Sequence, residues 1–196
     1  MFRPCLRAGF CTRRATWDDA KNRDDLVITK DVQIRLAVMD EAEEIAQILV
    51  GAFGPLRGKY TTGAFAAVTP DADEIRDRFE EGPIWVALVE GKMVGTVSVL
   101  PETDWLYIRS MAVLPETQGL GIGRKLLSVV ENYAVETGFS RLYLYTTYFL
   151  KGAIRLYESS GFTHDRDTPA DEWHGVPGVG MDKKLGDRVK QNVARS

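Results

Sequence analysis

The sequence predicts an α/β domain (α+β in some schemes): a mixed sheet with helices on both faces. Two observations carry that expectation. Short runs of period-2 alternation alternate with longer stretches of helical spacing, in the order β-α-α-β-β-β-α-β-α-β-β. One strand also runs through a glycine-spaced turn, Gln118-Gly119-Leu120-Gly121-Ile122-Gly123-Arg124, into an amphipathic helix. The length of 196 residues, with 44% hydrophobic and 27% charged residues, is ordinary for one globular domain.

Val32, Ile34 and Leu36 alternate as a first strand. A helix follows, with Asp40 expected as N-cap and Glu43 closing a capping box. Its apolar stripe includes Ile45, Ile48, Leu49 and Phe53, and Gly54-Pro55 ends it. Residues 54–69 are Gly-rich and read as loop, with room for a short helical turn. Pro70 is expected at the first position of a second helix that turns Ile75 and Phe79 inward and closes at Gly82. The six acids between Asp71 and Glu81 read as a solvated face, with an acidic mouth for a cationic amine as the rival reading.

Ile84–Val89 and Met93–Leu100 read as two strands joined by Glu90-Gly91-Lys92. Trp105–Val113 is the next strand. A helix from Leu120 or Gly121 to Glu136 carries Leu126, Leu127, Val130, Tyr133 and Ala134 on one stripe, and Gly138 stops it. Leu142–Thr147 reads as strand, Lys151–Ser160 as a short helix, and Phe162 and Val179–Leu185 as starts of the last two strands.

Residues 1–30 are expected to be a disordered leader, with an Arg-rich organelle-targeting peptide as the rival reading. Residues 31–185 then form the domain and 186–196 a polar tail. The net charge of −3 gives no basic excess for nucleic acid. No apolar run approaches a membrane span. Both cysteines, Cys5 and Cys11, fall in the first eleven residues, which excludes a disulfide framework or a cysteine-ligated metal in the body. His164 and His174 alone make a weak metal case, and none is expected. The expected location is cytoplasmic, or an organelle if the leader is a targeting peptide.

The glycine turn points to an anion. Glycine tolerates positive φ and leaves backbone N–H groups free to converge, and a helix start adds unpaired N–H groups and the positive end of its dipole. A phosphate or pyrophosphate suits such a site. The dinucleotide fingerprint G-x-G-x-x-G fails, since its last glycine is Arg124 or Leu126. The P-loop fails too, because Gly58-Lys59 and Gly91-Lys92 are followed by Tyr60 and Met93. A nucleotide-binding regulatory domain is disfavoured accordingly.

Q-x-x-G-x-G does fit, as Gln118, Gly121 and Gly123, after a strand ending Met111-Ala112-Val113-Leu114-Pro115. A second segment, Ala153-Ile154-Arg155-Leu156-Tyr157-Glu158-Ser159-Ser160-Gly161-Phe162, matches A-x-x-L-Y-x-x-x-G-F. With both, the chain resembles the GNAT superfamily, the Gcn5-related N-acetyltransferases, over about residues 32–185. The resemblance implies a mostly antiparallel sheet with two splayed strands that form a CoA cleft. It implies acetyl transfer from acetyl-CoA to a primary amine by direct attack in a ternary complex, without a metal. The acceptor would be a small molecule or a protein N-terminus or lysine, and a homodimer is left open.

On that resemblance the pyrophosphate lies on the amides of Gly119, Leu120, Gly121, Ile122, Gly123 and Arg124, beside Gln118. The pantetheine runs along Met111, Ala112 and Val113 as an added strand would, with the Val113 amide on the thioester carbonyl. Tyr157 is the expected general acid for the departing thiolate. The usual base positions hold Tyr107 and Tyr145, so the base is left to Glu102, Asp104 or a water chain, or is not needed by an amine that arrives neutral. Leu150 stands where many relatives carry an asparagine. Tyr60, Trp173 and His174 are candidates for the acceptor pocket. Without the usual carboxylates, a catalytically idle acyl-CoA-binding module stays as the alternative.

Overall fold

A computed structural model describes residues 31–186. Residues 1–30 and 187–196, which include the expected leader and nearly all of the tail, lie outside the described residues. The strands are β1 (Val32–Leu36), β2 (Ile84–Val89), β3 (Lys92–Pro101), β4 (Leu106–Val113), β5 (Arg141–Thr147), β6 (Thr163–Thr168) and β7 (Gly178–Lys184). They form one sheet in the order β1-β2-β3-β4-β5-β7-β6. Every pair is antiparallel except β4 and β5, which run parallel.

The helices are α1 (Ala42–Phe53), α2 (Thr62–Val68), α3 (Ala72–Glu81), α4 (Ile122–Thr137) and α5 (Lys151–Ser159). Strand periodicity explains why they sit on both faces. Along β2, Trp85, Ala87 and Val89 pack into one core with Leu126, Leu127 and Val130 of α4. Ile84 and Val86 pack into a second core with Ile45 and Leu49 of α1 and Ile75 of α3. Both faces are buried, so β2 reads as an unbroken apolar run. A third, small cluster joins Tyr60, Ala64 and Val176 near the end of the sheet.

Local chemistry moved several helix starts. Asp40 does not cap α1; it lies in a 3-10 turn over Met39–Glu41. Glu41 takes the Val38 N–H at 2.9 Å while paired to Arg35, and that pairing holds its carboxyl below the usual range. Pro70 is not the first residue of the next helix. Asp71 caps α3 in a full capping box, with Glu74 N–H to Asp71 at 2.9 Å and Asp71 N–H to Glu74 at 3.0 Å. The stretch expected as loop holds a 3-10 helix, Gly54–Lys59, and α2. Thr61 caps α2 by accepting the Ala64 N–H at 3.1 Å, and alanines at 64, 66 and 67 favour the helix more than Gly63 opposes it. The β2–β3 hairpin turns on Glu90 and Gly91, both at positive φ, as a two-residue type I′ loop requires.

Two irregularities in β4 shape everything that follows. Its pairing with β5 stops after Ile108↔Leu144, and beyond that point the two strands part. On its other edge, Val97 of β3 faces two residues, Ser110 and Met111, in a bulge, and Ser110 takes a φ of 51°.

Candidate active site

Where β4 and β5 part, the β4 edge that faces β5 is left open. Leu114 N–H turns back to β3, 2.9 Å from the Val94 carbonyl. By the alternation of a strand, the Val113 N–H therefore points into the opened gap.

The chain then passes through the glycine turn. Gly119 (φ 87°) and Gly121 (φ 74°) are left-handed, and neither has an atom within 4 Å of where a Cβ would stand. Gly123 is different. It lies inside α4, and a Cβ there would come within 2.7 Å of Leu156 Cδ2 and 3.4 Å of Met111 Cε. Its lack of a side chain lets α4 approach α5 and β4 closely. The helix starts at Ile122, after both expected starts, Leu120 and Gly121, because left-handed Gly121 occupies the N-cap. The first α4 bond is Lys125 N–H to the Gly121 carbonyl, at 3.1 Å. Among the described residues no protein acceptor takes the amides of residues 119–124, and clustered at a helix start they are free to meet an anion.

These amides border a groove of about 870 Å³ between the end of β4, the turn, the start of α4 and α5. Met111, Ala112, Val113, Gln118, Gly119, Gly121, Ile122, Gly123 and Arg124 all line it. Leu120 does not; its side chain is exposed on the outside of the turn. Gln118 Nε2 reaches the Val113 carbonyl at 3.4 Å, and the Arg124 guanidinium donates to Ser159 Oγ at 3.2 Å.

A second cavity, of about 250 Å³, lies under the splayed strands. It meets the groove at Phe53, Met111, Leu150 and Tyr157, which line both. The buried Tyr157 hydroxyl sits 3.9 Å from Met111 Sδ, and burial, with Tyr107 nearby, pushes its acidity to a higher pKa than an ordinary tyrosine. Tyr107 and Tyr145 pack with ring centroids 6.0 Å apart on the chamber wall. Burial and then Tyr145 raise the Tyr107 pKa, so it is a poor proton acceptor at neutral pH.

Of the acceptor candidates, Tyr60 and Trp173 line the chamber, 6.4 Å apart by ring centroid. His174 does not. It stands at φ 49°, its carbonyl accepts the Thr61 hydroxyl at 2.6 Å, and its ring lies against Gly63. Glu102 borders an adjoining hollow with Trp105 and Arg141, and Asp104 lines neither cavity. No carboxylate lines the chamber among the described residues. Nor do three His, Cys, Asp or Glu side chains gather there in a metal-like cluster.

Sequence reasoning missed Arg78, Arg109, Ser110 and Thr147, all of which line the chamber. Arg78 comes from the acidic helix α3 and donates to Ser110 Oγ at 2.6 Å. The acids around it, Asp73, Glu74, Asp77, Glu80 and Glu81, are exposed, so the solvated-face reading holds for them. A single arginine of the inward spacing, in line with Ile75, was the available signal.

An open, mostly antiparallel sheet with one parallel splayed pair, and an amide-lined turn at the splay, forms an α/β architecture with a cleft suited to an extended, anionic ligand. The profile of the Acetyltransferase (GNAT) family matches residues 42–162, and the chain belongs to that family. Among curated relatives, "Uncharacterized N-acetyltransferase YjgM" of Escherichia coli K12 is 37% identical over 106 residues, 51% of this chain and 64% of its own length. The N-acetylaspartate synthetase of Xenopus tropicalis is 34% identical over 118 residues, 58% of this chain and 42% of its own. The chain thus spans less than two thirds of the length of these relatives.

Solved structures share the fold. The ribosomal-protein-S18-alanine N-acetyltransferase of E. coli superposes with a TM-score of 0.65 at 19% identity, covering 79% of this chain and 94% of that one. The yncA protein of Salmonella typhimurium, solved with acetyl-CoA, gives 0.64 at 24% identity, covering 80% and 95%. Among the described residues no helix is long and apolar enough to cross a membrane.

Proposed function

We propose that this chain is an N-acetyltransferase that moves an acetyl group from acetyl-CoA to a primary amine, by direct attack within a ternary complex. The observation that supports this most is the junction at Tyr157. An amide-lined groove and a separate small chamber meet at one buried hydroxyl.

The residues present fit acetyl-CoA. The unpartnered amides of residues 119–124 and the Arg124 charge suit a pyrophosphate. The open edge of Met111, Ala112 and Val113 suits an amide-bearing extended chain. Acetyl-CoA supplies the activated acyl group; the protein supplies position and protons. The Val113 N–H is directed to the thioester carbonyl and takes up its developing negative charge. The amine nitrogen forms a bond to the carbonyl carbon as the carbon–sulfur bond breaks. Tyr157 gives its hydroxyl proton to the sulfur and takes one back from solvent before the next turnover, while the proton shed by the amine leaves to solvent, since no carboxylate lines the chamber. The amine is that of a small molecule, or of a protein N-terminus or lysine.

The missing carboxylate also favours a second reading, an idle acyl-CoA-binding module. One experiment separates the two. CoA should raise the melting temperature where ATP and NAD do not, and pooled amines should release thiol from acetyl-CoA. Stabilisation by CoA with no thiol release under any amine supports the idle module. No stabilisation by CoA removes both readings.

A further inference from the structure

The chamber carries a surplus of positive charge. Two arginines line it, Arg78 and Arg109, and no carboxylate does. Arg109 is paired with Glu81 of α3. Glu74, the other carboxylate close to Arg78, is held in the α3 capping box. Arg78 has no ion-pair partner among the described residues; its one hydrogen bond goes to Ser110 Oγ. A guanidinium has five donors in a planar fork and stays charged, so most of its capacity is free.

The surrounding wall is short of partners as well. Five buried side-chain polar atoms lack a hydrogen bond among the described residues, and four of them belong to residues lining this chamber: Tyr60 OH, Arg109 Nε, Thr147 Oγ1 and Thr168 Oγ1. The Tyr60 and Thr147 hydroxyls face one another, but neither has a bond of full geometry. Native interiors leave few such groups unpaired, and each one asks for an explanation. An anionic ligand in the chamber would meet the free donors of the Arg78 guanidinium.

We propose that the acceptor amine carries a carboxylate, as an amino acid does, and that the Arg78 guanidinium binds it. This rests on the acetyltransferase reading above and narrows its acceptor. The bulge explains how the site is built. Left-handed Ser110 swings its hydroxyl to α3 and fixes the guanidinium at the chamber wall. A carboxylate there accepts charge-assisted hydrogen bonds. A polyamine would instead bring a second cation beside Arg78 and Arg109, which repels it.

The test offers the full chain, with acetyl-CoA, a panel of free amino acids, their amides, their decarboxylated amines and spermidine. Thiol release gives kcat/KM for each. The expected result is at least one free acid favoured over its own amide by about 10- to 150-fold, the range for a hydrogen-bonded charge. Arg78→Gln should lower kcat/KM for the acid far more than for its amide and so collapse the ratio between them, and Arg78→Lys should restore part of that ratio. A purely structural role for Arg78 would lower acid and amide alike. Equal use of acids and amides, preference for spermidine, or no turnover of any amino acid overturns the inference. In each of those cases thiol release with any other amine leaves the acetyltransferase reading standing, stabilisation by CoA without any thiol release leaves only the idle module, and no stabilisation of the wild-type chain by CoA brings down both.

Discussion

The groove and the chamber meet at one tyrosine but are made of different things. The groove offers backbone: the amides of residues 119–124 and the edge of Met111, Ala112 and Val113, all within one stretch of chain. The chamber offers side chains: Tyr60 from the segment before α2, Arg78 from α3, Tyr107 and Ser110 from β4, Tyr145 and Thr147 from β5, Trp173 from the loop before β7. A backbone site needs a particular conformation, so it constrains sequence locally, and glycine marks it. A side-chain site needs only that distant positions converge, which leaves no local pattern. The groove should therefore fail when conformation or charge at the turn changes, and the chamber when single side chains change.

The largest expected effect lies where the two regions touch. Tyr157→Phe removes the hydroxyl and keeps the ring that packs on Phe162, 5.7 Å away by centroid. Loss of a general acid typically costs about 10²–10⁴ in rate. Steady-state thiol release should show that drop in kcat, with acetyl-CoA affinity by calorimetry within about twofold of wild type. Wild-type turnover would take Tyr157 out of the chemistry and make it a packing residue.

Next comes the turn. Gly121→Asp places a carboxylate at a left-handed N-cap, against the expected pyrophosphate. CoA affinity should fall by more than about a hundredfold. Gly121→Asn tolerates the same backbone and adds no charge, so it should fall much less. Equal losses in both would mean that the turn's shape, rather than its charge environment, is what matters.

The pH profile separates the regions by titration. Burial raises the Tyr157 pKa above the ordinary value of 10.0. The protonated form is the acid, so a higher pKa keeps it protonated further into alkali. No carboxylate lines the chamber to add an acid limb. The expected kcat/KM therefore climbs with pH as the acceptor amine loses its proton, by up to tenfold per unit, and shows no fall below about pH 10. A bell with a descending limb near neutrality would point to a different acid.

The same contrast explains what could be read from residues alone. The order of elements along the chain and helices on both faces of the sheet follow from periodicity, and Gln118, Gly121 and Gly123 mark the turn that borders the groove. The helix α2 was obscured by Gly58 and Gly63 ahead of its alanines, and Asp71, with its capping box, outcompeted Pro70 as the start of α3. Arg78 was hidden by its own neighbours. Six acids from Asp71 to Glu81 read as a charged exterior, and only the packing of α3 on β3 and the bulge at Ser110 turns one cation inward. The bulge itself has no signature, since a serine at φ 51° is set by the sheet around it and not by its own preference.

The smallest effect tests the comparison most directly, because it is a side-chain change on the backbone side. Gln118 is the first residue of the glycine motif, and its side chain makes one hydrogen bond, to the Val113 carbonyl at 3.4 Å. That distance is beyond the usual N–H···O range, so the bond is weak. A good bond nets about 0.5–1.5 kcal/mol, and this exposed one belongs at the lower end. Gln118→Ala leaves every amide of the turn in place. Calorimetry should find CoA affinity reduced by about two- to threefold, with kcat unchanged within error. A loss as large as that of Gly121→Asp would show that a side chain holds the turn in shape, and the division between a groove built of backbone and a chamber built of side chains would have to be abandoned.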